Sequence, residues 1–207
     1  MPTFRPGVDD DDAYWDATPP EANLVQVDST ILIGNMADTD RPVDAFVRFV
    51  NVTIPRNAKI TSAFLRVTGR ATGGDPTVNA TISANPADNP SAPATVAAAA
   101  AIGNTSATVA WNAIAATTAG VSFDSPDIKS IIQEIINRAG WESGNALMIM
   151  VRDNGSTSGA PEAVRWVNSF QEFNGAMPAL VVEYLLTGRY APLGGKSSSG
   201  LVAARSS

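Results

Sequence analysis

Short segments in which apolar and polar residues alternate make up most of this chain, and turn-forming residues separate them. An alternation of period two is typical of strands with one buried face. Segment 44–54, DAFVRFVNVTI, is the clearest case. One predicted face has Phe46, Arg48, Val50, Val52 and Ile54, and the other has Val47, Phe49, Asn51 and Thr53. The predicted strands are 22–36, 44–54, 58–72, 77–86, 106–114, 145–154, 163–170 and 178–186. Because strands do not alternate with helices, the pattern predicts an all-β fold, an antiparallel jelly-roll-like β-sandwich.

One segment has the helical period instead. Ser125, Pro126 and Asp127 are typical of a helix start, and Gly140 is typical of a stop. A single apolar stripe follows from the spacing i, i+3, i+4, i+7, i+8, and its members are Ile128, Ile131, Ile132, Ile135 and Ile136. We therefore expect one amphipathic helix packed on the sandwich. A partner contact through its polar side is the less favoured alternative.

The two ends of the chain differ from the middle. Residues 1–22 are rich in Pro and Asp and are predicted to form an extended acidic arm or a loosely held first strand. Residues 23–187 are predicted to form the sandwich. Residues 188–207 are rich in Gly and Ser and are predicted to form a tail, whose interaction candidates are Arg189, Tyr190, Lys196 and Arg205.

Composition excludes several kinds of chemistry. The chain has no cysteine and no histidine, so disulfides, thiolate catalysis and His-dependent nucleophile systems are absent. A net charge of −6 argues against nucleic-acid binding. No apolar run is long enough to span a membrane, and the N-terminus lacks the pattern of a signal peptide. No spacing among the carboxylates selects a catalytic pair, so we expect no enzymatic activity and no cofactor.

The acidic run Asp9, Asp10, Asp11, Asp12 is predicted to be solvated and extended, because neighbouring carboxylates repel one another. Structural calcium is the less favoured alternative, since the run lacks the spacing of a calcium loop. Tyr14 and Trp15 follow it. Trp15 is the best candidate for an exposed aromatic residue, as a sugar platform or as an anchor to a neighbouring subunit.

The other tryptophans are expected to be buried. Trp111 and Trp166 lie in predicted strands beside apolar residues, and Trp141 follows the predicted helix. Arg48, Arg66 and Arg165 also lie in predicted strands. A buried arginine needs a carboxylate partner, and for Arg48 we expect Asp44 or Glu183.

Several segments together resemble a known family. VRFVNVTIPRNAKITSAFLRV resembles the opening strand pair of the DNRLRE-type β-sandwich modules of bacterial surface proteins. VAWN, PDIKSIIQEIINRAGWESGNAL and MPALVVEY resemble later elements of these modules, in the same order. The resemblance covers residues 24–184. It implies a surface module for display, adhesion or sugar binding without a catalytic centre, of a kind similar to modules in bacteriophage virion proteins.

A module without an export signal fits a virion protein better than a secreted adhesin. We therefore expect a non-enzymatic bacteriophage structural protein of the capsid decoration or tail-surface type, located on the virion surface after synthesis in the host cytoplasm. The expected partners are copies of itself and other virion subunits such as the major capsid protein, bound through the two ends of the chain. The alternative is a carbohydrate-binding or adhesion module that recognises surface glycans.

Overall fold

The computed structural model describes residues 1–16, 24–26, 28–36, 41–73, 76–158, 161–172 and 176–186, together with the backbone of residues 202–203. Within these residues the strands are β1 (Thr3–Phe4), β2 (Asp12–Asp16), β3 (Leu24–Val25), β4 (Thr30–Met36), β5 (Arg41–Phe49), β6 (Lys59–Thr68), β7 (Ala80–Ala84), β8 (Val109–Trp111), β9 (Ser122–Asp124), β10 (Leu147–Asp153), β11 (Ala163–Asn168), β12 (Ala179–Leu186) and β13 (Val202–Ala203). The helices are α1 (Val96–Ala100) and α2 (Lys129–Ile136), and Asp9–Asp11 forms a short 3-10 helix.

The described strands form two antiparallel sheets. The smaller sheet has the order β1-β12-β6-β9, with β13 also paired to β12. The larger sheet has the order β11-β4-β5-β10-β7-β8, with β2 beside β5 and β3 beside β2. The predicted fold class, an all-β antiparallel sandwich with a helix packed on it, is confirmed. The predicted boundaries of the sandwich, at residues 22–23 and 187–188, lie outside the described residues.

The core lies between the two sheets, and the alternation along each strand decides which side chains enter it. In β10, Leu147, Ile149 and Val151 join the main core, whereas Met148 and Met150 point to the outer face of the larger sheet. The chain is apolar on both faces here because the outer face is also covered. Helix α1, whose first turn is capped by the Thr95 hydroxyl accepting from the Ala98 amide, packs on it. The sequence had predicted a single helix, α2, and therefore not this one.

The alternation predicted for 44–54 is wrong beyond Phe49. Strand β5 ends there, and Asn51 has a φ of 51°, in the left-handed region that asparagine tolerates. This turn changes the face that the following residues present. Val52 and Ile54 therefore join Val47 in the main core, whereas Phe46 lies on the outer face.

Helix α2 has the predicted role. All five isoleucines of its stripe are buried in the main core, where the helix packs against β6 and β7. Its start was predicted wrongly. Ile128 is the N-cap residue, and the Ser125 hydroxyl accepts the Leu65 amide instead of capping the helix. Burial acts to raise the pKa of Asp127, but the amides of Ala63 and Lys129 and the Lys129 ammonium together lower it.

Arg165 is buried. Its guanidinium donates to the backbone carbonyls of Ile114, Ala115 and Pro76, at 2.7–3.1 Å. Loop carbonyls thus accept hydrogen bonds from this buried charged group. Arg66 pairs with a carboxylate, since it donates twice to Asp124 on the exposed face of the smaller sheet.

Candidate functional site

The acidic segment, residues 9–16, is the first of the predicted interaction sites. Asp9 and Asp10 are exposed, as expected, but Asp11 and Asp12 are buried. The Asp11 carboxylate accepts the amides of Gly7 and Val8 at 2.7 and 3.1 Å and forms an ion pair with Arg48. The prediction of a fully solvated run is therefore wrong for Asp11 and Asp12, because the first is paired and the second belongs to β2.

The same contact corrects the partner of Arg48. Asp11 takes the place of the expected Asp44 or Glu183, and Arg48 also donates to the Pro90 carbonyl at 2.7 Å. Asp44 pairs instead with Arg152 at 2.6 Å, while Glu183 accepts the Ser62 hydroxyl at 3.2 Å. Burial raises the pKa of Asp44, and the Arg152 guanidinium opposes the rise. These pairs join neighbouring strands, so they stabilise the sandwich.

Among the carboxyl groups of the described residues, that of Asp12 has the pKa that is shifted furthest from its usual value. Its side chain is 1% exposed, and it accepts the Phe170 amide at 2.7 Å. Burial raises its pKa to about 7, the Phe170 amide opposes the rise, and the charges of Asp11 and Asp9 add to it. Asp12 therefore carries a proton in part of the molecules near neutral pH. Among the described residues no group of three or more carboxylates is placed to hold a metal ion.

Trp15 is not exposed, contrary to the prediction. It is 1% exposed and packs against Phe46, with ring centroids 6.3 Å apart, on the outer face of the larger sheet. The Arg152 guanidinium lies over its ring, 5.7 Å from the centroid. Tyr14 points to the other side of β2 and is half-buried against the main core. Burial raises the pKa of the Tyr14 hydroxyl, and the charge of Asp28 adds to the rise.

Trp166 is the exposed tryptophan, where a buried one was expected. Trp111 and Trp141 are buried as predicted, and the Trp141 indole donates to the Ile54 carbonyl at 2.9 Å. Trp166 is 40% exposed, since Ala163 and Val167 of the same strand face the core and Trp166 faces away. The alternation of side chains along β11 places Trp166 on the outward face. The prediction missed this because the charged Arg165 made the inward face look like a face exposed to solvent.

Polar groups lie close to Trp166. The Arg70 amide donates to the Trp166 carbonyl at 2.8 Å. The Arg70 guanidinium forms an ion pair with Glu172 at 2.8 Å and donates a hydrogen bond to the Ser29 hydroxyl at 2.9 Å. An exposed aromatic face next to an exposed ion pair is an arrangement that suits a polar ligand with an apolar face.

The side of strand β12 that faces away from β6 is a feature that the sequence did not indicate. We call it the β12 edge, and define it as the backbone of Tyr184–Leu186 on the side away from β6. Here β13 pairs with β12, with Leu185 opposite Ala203 and Leu186 opposite Val202. Further along, β1 pairs with β12, and the Val182 amide donates to the Pro2 carbonyl at 3.1 Å. The two ends of the chain therefore meet on one strand.

Apolar side chains are exposed at this edge. Met1 is 61% exposed and Leu186 is 40% exposed, whereas Tyr184 and Leu185 are half-buried. Exposed sheet edges usually carry charged residues or prolines that block pairing with other chains. In β12 the charged residue is Glu183, just outside the defined edge. Of the predicted tail residues, Arg189, Tyr190, Lys196 and Arg205 lie outside the described residues.

Neither of the two described α-helices has the length and hydrophobicity of a membrane-spanning segment. The sequence was compared with protein-family models and with curated proteins, and neither comparison finds a match. The resemblance to DNRLRE-type modules thus stays a prediction.

Proposed function

We propose that this protein is a non-enzymatic structural subunit of a bacteriophage particle, of the capsid decoration or tail-surface type. It binds copies of itself and other virion subunits, such as the major capsid protein. The observation that carries the proposal is that both chain ends pair with β12, β1 at Leu180 and Val181 and β13 at the β12 edge, near the exposed Met1 and Leu186. An apolar sheet edge is a surface that another chain can extend by strand addition.

This proposal changes the role of the acidic segment. Trp15 and Asp12 are buried within the subunit, so their side chains are not available for contact with a neighbour. Asp9 and Asp10 remain exposed and keep the charge that suits a basic partner, such as the Arg189, Lys196 and Arg205 of a neighbouring tail. The contact between subunits is therefore assigned mainly to the β12 edge and the tail.

The assignment to the virion surface rests on the resemblance to modules of surface and virion proteins, together with the sandwich fold. Its test is a binding experiment with particles. Full-length protein and a variant that lacks residues 188–207 are added to particles depleted of this protein, and the bound amount is measured after sedimentation. We expect the full-length protein to sediment with the particles and the truncated variant to remain in solution with an unchanged circular dichroism spectrum.

An equal occupancy of the truncated variant would show that the tail is not the attachment segment. Absence of binding by the full-length protein would remove the particle assignment itself. A variant with Arg66→Gln, on the exposed face of the smaller sheet away from the β12 edge, serves as a matched control with one charge removed.

Carbohydrate binding is the second candidate function, and the exposure of Trp166 favours it. The ring offers a flat apolar face for a sugar ring, while Arg70 and Glu172 supply a donor and an acceptor nearby. Trp15 is too deeply buried to serve as the platform. A glycan array that compares the wild type with Trp166→Ala tests this role, since saturable binding that the substitution abolishes would establish it.

A further inference from the structure

We propose that the β12 edge is a strand-exchange site, at which residues 202–203 of one copy pair with Leu185 and Leu186 of a second copy. This inference rests on the homo-oligomer part of the proposed function and names the segment through which the copies join. It assigns the tail a specific strand to pair with, where the sequence had indicated only that subunits bind through the two ends of the chain.

The two sides of β12 are paired unequally. Strand β6 covers one side from Ala179 to Leu185. On the other side, β1 covers only Leu180 and Val181, with one further hydrogen bond from the Val182 amide to Pro2. Among the described residues, Leu185 and Leu186 pair on this side with the two residues of β13.

The sequence between β12 and β13 is long enough for β13 to pair with β12 of the same copy or with β12 of a neighbouring copy. Residues 187–201 connect β12 to β13 and are rich in Gly and Ser. Closing a long link onto a pair of two residues costs conformational entropy, and the pair offers few hydrogen bonds in return. Fully extended, a link of this length reaches about 50 Å, far enough to reach an adjacent subunit. Exchange makes the same backbone pairs between copies, as in domain swapping.

The chemistry of the two segments also suits pairing between copies. The edge carries Tyr184, Leu185 and Leu186, and the exposed Met1 lies at the neighbouring end of β1. In the tail sequence, Leu201 to Ala204 is an apolar run flanked by Gly and Arg. Where subunits are held close together on a particle, a high effective concentration favours the pairing between copies over pairing within one chain.

Engineered cysteines test the exchange directly, because the protein has none of its own. Leu186 and Val202 lie opposite each other in the register, at a spacing that suits a disulfide. One copy carries Leu186→Cys and the other Val202→Cys, with tags of different mass. The two are mixed at micromolar concentration and oxidised gently, and the disulfides are identified by mass spectrometry. Val121→Cys, exposed and remote in sequence from both positions, replaces Leu186→Cys in the collision control.

We expect the mixed disulfide to exceed the Val121→Cys control by at least about ten-fold. The doubly substituted chain, Leu186→Cys with Val202→Cys, is oxidised in parallel and its mass is measured by sedimentation. Disulfides confined within single chains, in a protein that sediments as an oligomer, would overturn the exchange while leaving self-association intact. A wild type that sediments as a monomer under the same conditions would overturn both the exchange and the homo-oligomer on which it rests.

Discussion

Replacing Asp12 by asparagine should stabilise the protein at alkaline pH and leave it nearly unchanged in acid. Asp12 is buried and its pKa is raised from 3.8 to about 7. Between these values the folded state holds a proton that the unfolded state has lost. The stabilisation from this proton is present below about pH 4 and is lost as the pH rises through about 7.

The expected size follows from the shift. Each pKa unit corresponds to about 1.4 kcal/mol, so a rise of about three units gives an upper limit of about 4 kcal/mol. Asparagine is neutral at every pH and keeps an oxygen that can accept the Phe170 amide. The free energy of unfolding of Asp12→Asn should therefore exceed that of the wild type by up to about 4 kcal/mol at about pH 8.

Urea denaturation at about pH 4, 6 and 8, followed by tryptophan fluorescence, measures the difference. Asp10→Asn is the matched control, because Asp10 is an exposed aspartate in the 3-10 helix just before Asp12, and it should change the free energy of unfolding by no more than about 0.5 kcal/mol. The reasoning is refuted if the free energies of unfolding of the wild type and Asp12→Asn differ by the same amount at every pH. It is also refuted if this difference in free energy grows as the pH falls.

Two further predictions concern the helix and the exposed tryptophan. Ile132→Ala should lower the free energy of unfolding by about 2–5 kcal/mol, because the side chain is fully buried in the main core. Ser130→Ala, on the exposed side of α2, should change it by less than about 0.5 kcal/mol, and equal effects would contradict the packing of the helix. Trp166→Phe should remove most of the acrylamide-quenchable fluorescence, since the other three tryptophans are buried. An unchanged quenching constant would show that another tryptophan is accessible.

Local patterns were enough to predict the sandwich and its helix. The stripe from Ile128 to Ile136 has one face that must be buried, whatever the rest of the chain does. The strand alternation around Leu147 and Val182 likewise leaves little choice of secondary structure. Most predicted strands overlap observed ones, but segment 22–36 holds two strands, β3 and β4, and β5 ends at Phe49. The sequence did not locate α1, β9 or the short strands at the two ends.

The environment of single polar and aromatic residues could not be predicted in the same way. Asp11 is buried because Arg48 lies on an adjacent strand, and Asp12 is held by the amide of Phe170, far away in the sequence. Trp15 is buried because α1 and the two methionines of β10 complete a second apolar cluster on the outer face. These contacts depend on strand order, which composition and periodicity do not specify.

Strand order also explains why the candidate site is the β12 edge and not the acidic segment that the sequence indicated. The acidic segment was selected because four adjacent carboxylates look incompatible with a core. The β12 edge was not selected, because an apolar strand gives no sign in the sequence of whether one or both of its edges are paired. Trp166 was assigned to the core by its apolar neighbours, whereas its position in the alternation agrees with the exposed face observed.

A cryo-EM reconstruction of the particles from which the protein is purified tests the central proposal most directly. The proposal predicts many symmetry-related copies on the particle surface, with each β12 edge paired to a strand contributed by a neighbouring copy. Particles that lack the protein, or copies that meet only through surfaces remote from the β12 edge and the tail, would contradict it.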